Sequence, residues 1–137
     1  MRVKLDQGAF APTRAHETDA GLDLYTPEDF VLLPQTRITI DTGVHIKLPP
    51  NTVGYIRSKS GLLKTDGIIT DGVIDEGYSG SIGVTIYNAG FHSVWFARGH
   101  KIAQLVIQPV LYPSVKIVDD LNMDSERGSD GFGSTGR

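Results

Sequence analysis

The stretch TRITIDTGVHIKL, residues 36–48, decides the fold. In residues 36–41, Ile38 and Ile40 fall on one side and Arg37 and Thr39 on the other, the alternation of a half-buried strand. Residues 44–48 repeat the pattern after Gly43, and Pro49-Pro50-Asn51 closes it before a further candidate strand at 53–58. Working outward, strand candidates also fall at 3–5, 21–25, 30–33, 81–87, 94–97, 102–107 and 115–118. Turn signals recur about every eight to twelve residues, which is an all-β rhythm. The expected fold is a jelly-roll-like sandwich of two packed antiparallel sheets. One short helix is expected from Ser60, with Ser60 as its cap and Gly67 as its stop.

The 137 residues suit a single domain, and 39% hydrophobic against 21% charged residues allows one buried core. Composition changes after Val118: residues 1–118 read as the β core, and 119–137 as a polar, Gly- and Ser-rich C-terminal arm. A net charge of -3 argues against bulk nucleic acid as a partner, while leaving room for a few clustered cations around one small phosphorylated ligand. With no cysteine, disulfide scaffolds, thiol nucleophiles and cysteine-held zinc are excluded. The four histidines lack the HExxH spacing. No segment is apolar enough to be a signal peptide or to span a bilayer, so a cytoplasmic protein with no membrane partner is expected.

Four stretches carry possible chemistry. In GVIDEGYSG, residues 72–80, Asp75 follows an apolar run, where partial desolvation would suit a carboxylate that polarises water; the same residues also read as a plain turn, with Tyr78 a half-buried strand residue. In IRSKSGL, residues 56–62, two cations and two hydroxyls precede a helix start, the setting of a phosphate site or of an ordinary capped helix. Gln104 sits among apolar neighbours in FARGHKIAQLVI, residues 96–107, and needs a polar partner if buried, either a backbone carbonyl or a ligand. The tail RGSDGFGSTGR, residues 127–137, offers glycine backbone amides, the Ser134 and Thr135 hydroxyls, the Arg127 fork and the Phe132 ring to a nucleotide. Its composition equally describes a solubilising tail.

Taken in order, AGLDL (20–24), SKSGL (58–62), GVIDEGYSG with Asn88 after it, GHKIAQL (99–105) and GFGSTG (131–136) resemble the five motifs of the trimeric dUTPases. They span almost the whole chain. The resemblance implies a jelly-roll homotrimer whose three sites lie at subunit interfaces under C-terminal arms. It also implies hydrolysis of dUTP to dUMP and pyrophosphate with Mg2+ bound mainly through the triphosphate. Asp75 would then be the general base toward the α-phosphorus, and Tyr78 would pack beneath the deoxyribose. Backbone groups of the 72–83 hairpin, at Gly72, Ile74 and Gly83, would read uracil and leave no room for a 5-methyl. Lys59, Ser60, Gly61 and Gln104 would meet the phosphates, and Asp23 would organise the site or its metal-bound waters. Phe132 would cover the base, with Arg127, Gly133, Ser134 and Thr135 on the β- and γ-phosphates.

Three residues depart from the family pattern. Lys59 stands for the usual Arg, a point charge in place of a fork, so that Arg57 becomes an alternative phosphate contact. His100 replaces an Asp, and Asp130 replaces a Gly and is expected to face solvent. Two other functions compete: the related dCTP deaminase, alone or bifunctional, and a non-catalytic nucleotide-sensing interaction protein. Deamination in that relative needs a glutamate on the strand after the third motif, and SIGVTIYN, residues 81–88, has no carboxylate.

Overall fold

The computed structural model describes residues 1–121. The expected contributions of Arg127, Asp130, Phe132, Gly133, Ser134 and Thr135 lie outside the described residues. Nine strands and one helix follow in the order β1 (Arg2–Leu5), β2 (Gly21–Tyr25), β3 (Phe30–Leu32), β4 (Arg37–Lys47), β5 (Thr52–Arg57), α1 (Ser60–Asp66), β6 (Ile68–Ile74), β7 (Ser81–Asn88), β8 (Val94–Phe96) and β9 (Lys101–Pro109), counted among the described residues.

Seven strands hydrogen-bond in the order β1-β4-β7-β6-β5-β9-β2, and β3 pairs with β8 as a separate ribbon. Every named pairing is antiparallel. The two expected layers are thus one curled sheet continuous through β6, with the ribbon beside it. Strand β6 makes the corner: Ile68, Ile69 and Thr70 pair with β7, whereas Asp71, Gly72, Val73 and Ile74 pair with β5. The sequence reading omitted β6 because Asp71-Gly72 carries a turn signal. Its burial nonetheless alternates, with Ile68, Thr70 and Ile74 inward. Gly72 sits within the strand opposite Ile56, where an added Cβ would make only ordinary contact at 3.5 Å, so no turn conformation is taken there.

Strand β4 joins the two runs that were read as separate. Ile40, Thr42, Val44 and Ile46 all point inward across Gly43. Between Asp41↔Gly83 and His45↔Ser81, β4 advances four residues while β7 advances two, and Gly43 takes φ +66° in this irregular segment. An even surplus preserves the inward face. Buried Thr42 repairs the ladder by donating its hydroxyl to the Ile82 carbonyl at 2.8 Å.

The core is built from alternate residues of the curled sheet, among them Leu24, Ile40, Ile56, Ile68, Ile82, Val84, Ile86, Ile102 and Leu105, together with Leu32 and Phe96 of the ribbon. Burying each such side chain contributes about 1.5–3 kcal/mol. Buried Asn88 ties β7 to the ribbon through bonds from Nδ2 to the Leu32 and His92 carbonyls, 3.1 and 2.8 Å. Its role here is that of a satisfied structural node.

Helix α1 runs over the expected stretch but lacks the expected cap. Lys59 occupies the N-cap with no side-chain capping bond, and Ser60 is the first helical residue. Gly67 does end the helix, in the left-handed region at φ +68°, with its N–H directed to the Leu62 and Leu63 carbonyls. The expected strand at 115–118 is absent: among the described residues no regular element follows β9, and Val115 and Ile117 are both 93% exposed. Apolar alternation alone does not make a strand without an edge to pair with.

Candidate active site

The β6–β7 ladder stops at Thr70↔Ile86. Beyond it β6 turns to β5 while β7 stays paired with β4, so the two strands part into a fork whose facing backbone edges do not pair with one another. Gly72 and Ile74 lie on one limb, Gly83 on the other, and the loop at 75–80 joins them. A fork of unpaired amides and carbonyls beside a carboxylate is suited to reading the polar edge of a planar ligand.

Asp75 sits at the start of this loop, and its carbonyl accepts from the Tyr78 N–H at 3.0 Å. Its side chain is exposed in the single chain, so the described residues do not supply the partial desolvation expected of it. The apolar run before it puts Ile74 into the core and leaves Val73 outside, and among the described residues nothing buries residue 75. Tyr78 is 46% exposed and lies outside the strands, with its hydroxyl donating to the Ser81 carbonyl at 2.9 Å. A Cβ added to Gly80 would come within 2.6 Å of the Tyr78 Cζ, so glycine allows the ring to lie across the loop backbone.

Several contacts brace the loop. Glu76 Oε2 accepts from the Asn51 N–H and from the Tyr112 hydroxyl, both at 2.9 Å. That bond, with burial and the nearby carboxylates of Glu76 and Asp75, raises the Tyr112 pKa. On the other limb the Ser81 hydroxyl donates to Asp41, which also accepts from the Gly43 N–H at 3.0 Å. The Ser81 bond and then the Gly43 bond lower the Asp41 pKa. These bracing residues were missed in the sequence because their partners lie 25 to 40 positions away.

The second cluster centres on Asp23. On the sheet Asp23 pairs with Gln104 and Gln104 with Arg57, which places the first, second and fourth motifs in one row. Lys59 Nζ bonds Asp23 Oδ1, and Lys101 Nζ lies 2.7 Å from Asp23 Oδ2. Burial pushes the Asp23 carboxyl up, but hydrogen bonds and charge from Lys101 and Lys59 outweigh it and the net shift is downward. The same pairing raises the Lys101 pKa. Gln104 donates to the Ser58 carbonyl at 3.0 Å, and Gly21 leaves the room it needs, because a Cβ there would sit 3.0 Å from Gln104 Cβ.

Arg57 is committed elsewhere, paired with Asp71 and set 4.7 Å above the Tyr55 ring, which argues against its replacing Lys59 at a phosphate. Gly61 is exposed and a Cβ there would meet nothing within 4 Å, so its smallness answers no constraint within the chain. His100 is a turn residue: its Nδ1 accepts from the Ala97 N–H at 3.2 Å, and its ring meets Trp95 edge-on at 5.8 Å. An Asp oxygen could accept the same turn bond, which gives the replacement a structural sense.

Among the described residues no group of three or more His, Asp or Glu side chains converges to hold a metal. Asp23 already engages a lysine on each oxygen. Such a donor set fits a hard cation that arrives on substrate phosphates and meets the protein through water, and does not fit a protein-built cage.

The two clusters do not meet within one chain. Along β5, the row of Asp23, Gln104 and Arg57 lies four residues from the position facing Asp75, or about 13 Å at ~3.3 Å per residue. Three strand spacings add about 14 Å sideways, so Asp23 and Asp75 are on the order of 20 Å apart. Either half alone lacks what the other supplies.

A curled jelly roll carrying an acidic loop on a backbone fork, with lysines and hydroxyls at a remote sheet end, is the architecture of a class of nucleotide hydrolases. A family profile described as dUTPase matches residues 8–136, and the chain belongs to the dUTPase family, a family of enzymes. It is 46% identical over 136 residues to the deoxyuridine 5'-triphosphate nucleotidohydrolase of Clostridium kluyveri, covering 97% of this chain and 94% of that one. The human mitochondrial enzyme of the same name is 39% identical, with 98% of this chain and 54% of that one covered. The dUTPase of Staphylococcus bacteriophage 80alpha with dUPNHPP superposes with a TM-score of 0.93 at 34% identity, covering 99% of this chain and 98% of that one. A mutant dUTPase from phage phi11 of S. aureus, described with a structural Mg(II) ion, gives 0.82 at 30% identity, covering 89% and 98%. Among the described residues no helix is long and apolar enough to cross a membrane.

Proposed function

We propose that the protein hydrolyses dUTP to dUMP and pyrophosphate in a homotrimer, at sites that combine the loop of one subunit with the lysine cluster of another. The separation of about 20 Å between Asp75 and Asp23 within a chain supports this assembly most directly. Apolar residues Leu111, Val115 and Ile117, exposed among the described residues, support it too, since packing them on a neighbour would be favourable.

The fork limbs at Gly72, Ile74 and Gly83 present main-chain donors and acceptors to the uracil edge and leave no room for a 5-methyl group. Tyr78, held by its bond to the Ser81 carbonyl, supports the deoxyribose face and crowds a 2′-hydroxyl. Asp75 takes the proton of a water aligned with the α-phosphorus, while the pyrophosphate leaves on the opposite side. Lys59, Ser60, Gly61 and Gln104 hold the phosphates, with Lys59 turning from Asp23 toward the incoming anion. Residues 119–137 act as the arm that completes the site, with Phe132 on the base and Arg127, Gly133, Ser134 and Thr135 on the outer phosphates. When bound, Mg2+ neutralises charge on the triphosphate, and Asp23 accepts from its waters.

The absence of any carboxylate in β7 weighs against deamination. The test is the full-length protein with dUTP, dCTP, dTTP and UTP, scored for pyrophosphate and ammonia. Pyrophosphate from dUTP alone is expected. In Asp75→Asn, kcat should fall roughly 10²–10⁴-fold with little change in dUTP affinity, and a fall below about tenfold would remove Asp75 as the base.

A further inference from the structure

Outside the phosphate cluster, one buried-edge histidine touches the substrate loop. We propose that His45 is a positioning residue for dUTP hydrolysis: as an imidazolium it clamps the Ser79 carbonyl to the Asp6 carboxylate and so fixes the loop that carries Asp75 and Tyr78. The inference rests on the function proposed above.

His45 pairs with Ser81 at the last paired position of β4 with β7, and its ring reaches past the ladder into the loop. Nδ1 lies 2.9 Å from the Ser79 carbonyl and Nε2 lies 2.9 Å from Asp6 Oδ2. A carbonyl and a carboxylate only accept. A neutral imidazole carries one N–H and can satisfy one of them, leaving two lone pairs opposed at the other; only the doubly protonated ring donates to both. The ring itself is 19% exposed, while the Asp6 carboxylate remains open to water. Asp6 is itself fixed, its N–H donating to the Gly43 carbonyl at 2.9 Å, which ties the clamp to the irregular segment of β4.

The charged groups around the ring are accounted for. From β1, Lys4 lies 3.3 Å from Asp6 Oδ1 and opposes the imidazolium. On β4, Asp41 faces it and is occupied by Ser81 and Gly43, while Lys47 with Arg2 of β1 lines the adjoining cleft. The loop contributes the Ser79 carbonyl and no ionisable group to that cleft. The bond to Asp6, then that to Ser79, raise the His45 pKa above its ordinary value, against burial and Lys4. A raised folded-state value means the clamp is complete below the unfolded pKa, about 6.5, and is lost as pH rises through the folded one.

The experiment uses the full chain. KM and kcat for dUTP are measured from pH 6 to 8.5 for the wild type and His45→Gln, and the ratio of the two proteins cancels ionisation of the nucleotide itself. The KM ratio should be about fivefold at the acid end, the worth of one hydrogen bond, and approach one at the alkaline end, with kcat moving less. Imidazole 15N spectra should show both ring nitrogens of His45 protonated at pH 6, and the Tyr78 and Ser79 amides should shift with the same midpoint. Asp6→Asn should move that midpoint to lower pH, which keeps the test open if His45→Gln fails to fold. A pH-independent KM ratio, or a singly protonated ring at pH 6, overturns the proposal. If the wild type leaves dUTP intact, the hydrolase reading falls and the clamp's part in catalysis with it, whereas the spectra still decide whether the clamp exists.

Discussion

Subunit complementation is the sharpest test of a site divided between chains. One variant, Asp75→Asn, destroys the loop half and leaves the lysine cluster intact; a second, Lys59→Ala with Gln104→Ala, destroys the cluster half and leaves the loop intact. Each pure protein should keep at most a few per cent of wild-type turnover, since the base is worth about 10²-fold or more and lost phosphate contacts cost about as much. In a trimer reassembled from equal amounts of both, each site draws its cluster from one subunit and its loop from another. The chance that both halves are intact is one half times one half, so about a quarter of wild-type activity should return on mixing. The separation of about 20 Å between Asp23 and Asp75 is too large for one chain to supply both halves to a single triphosphate. The assay is pyrophosphate release after joint refolding, with mass spectrometry confirming mixed trimers. Mixed trimers no more active than the average of the pure variants would refute the divided site.

Three further outcomes are expected. Truncation before Arg127 should leave a folded protein with the same far-ultraviolet spectrum and little turnover, and full activity of the truncated form would reduce residues 127–137 to a tail. Gly80→Ala places a Cβ within 2.6 Å of the Tyr78 Cζ, so the ring must move; KM for dUTP should rise and discrimination against UTP should narrow, measured as the ratio of kcat/KM values. Asp23 has a lowered pKa in the folded state, so its contribution to stability is fully present above the unfolded carboxylate value of about 3.9 and is lost as pH falls through the folded one. Comparing Asp23→Asn with the wild type by chemical denaturation at pH 7 and at pH 2.5 should therefore show a gap that shrinks on acidification.

Much of the sheet was legible because alternation of side chains is local. Ile38, Ile40, Val44 and Ile46 announce β4 in sequence, and they point inward in the fold. Strand β6 was illegible because Asp71-Gly72 spells a turn, and only tertiary partners, Arg57 and Ile56, convert it to a corner. The reverse holds at Val115 and Ile117, where good strand residues find no edge among the described residues. In the site, the residue types were readable, but their distribution was not. Nothing local to residues 23 and 104 says that they are register partners, or that Asp75 lies at the far end of the neighbouring strands.

That distribution has a chemical rationale. A carboxylate that pairs with lysine is held in its charged form and becomes a weaker base. Asp23, with Lys59 and Lys101 on its two oxygens, is in that state and is poorly suited to take a proton from water. The lysines sit at the opposite end of the sheet from Asp75, whose side chain is exposed in the single chain. If both halves lay in one chain at close range, the carboxylate and the cations would neutralise each other before any nucleotide arrived. In the proposed assembly, dividing them between subunits would let the triphosphate be the group that brings them together. The phosphates would then occupy the cations, and the base would meet water only after bulk solvent had been displaced. The braces on the loop, Glu76 to Asn51 and Tyr112 on one limb and Ser81 to Asp41 on the other, fit the same logic, since a base presented to a site that its own chain does not enclose must be aimed by its own scaffold.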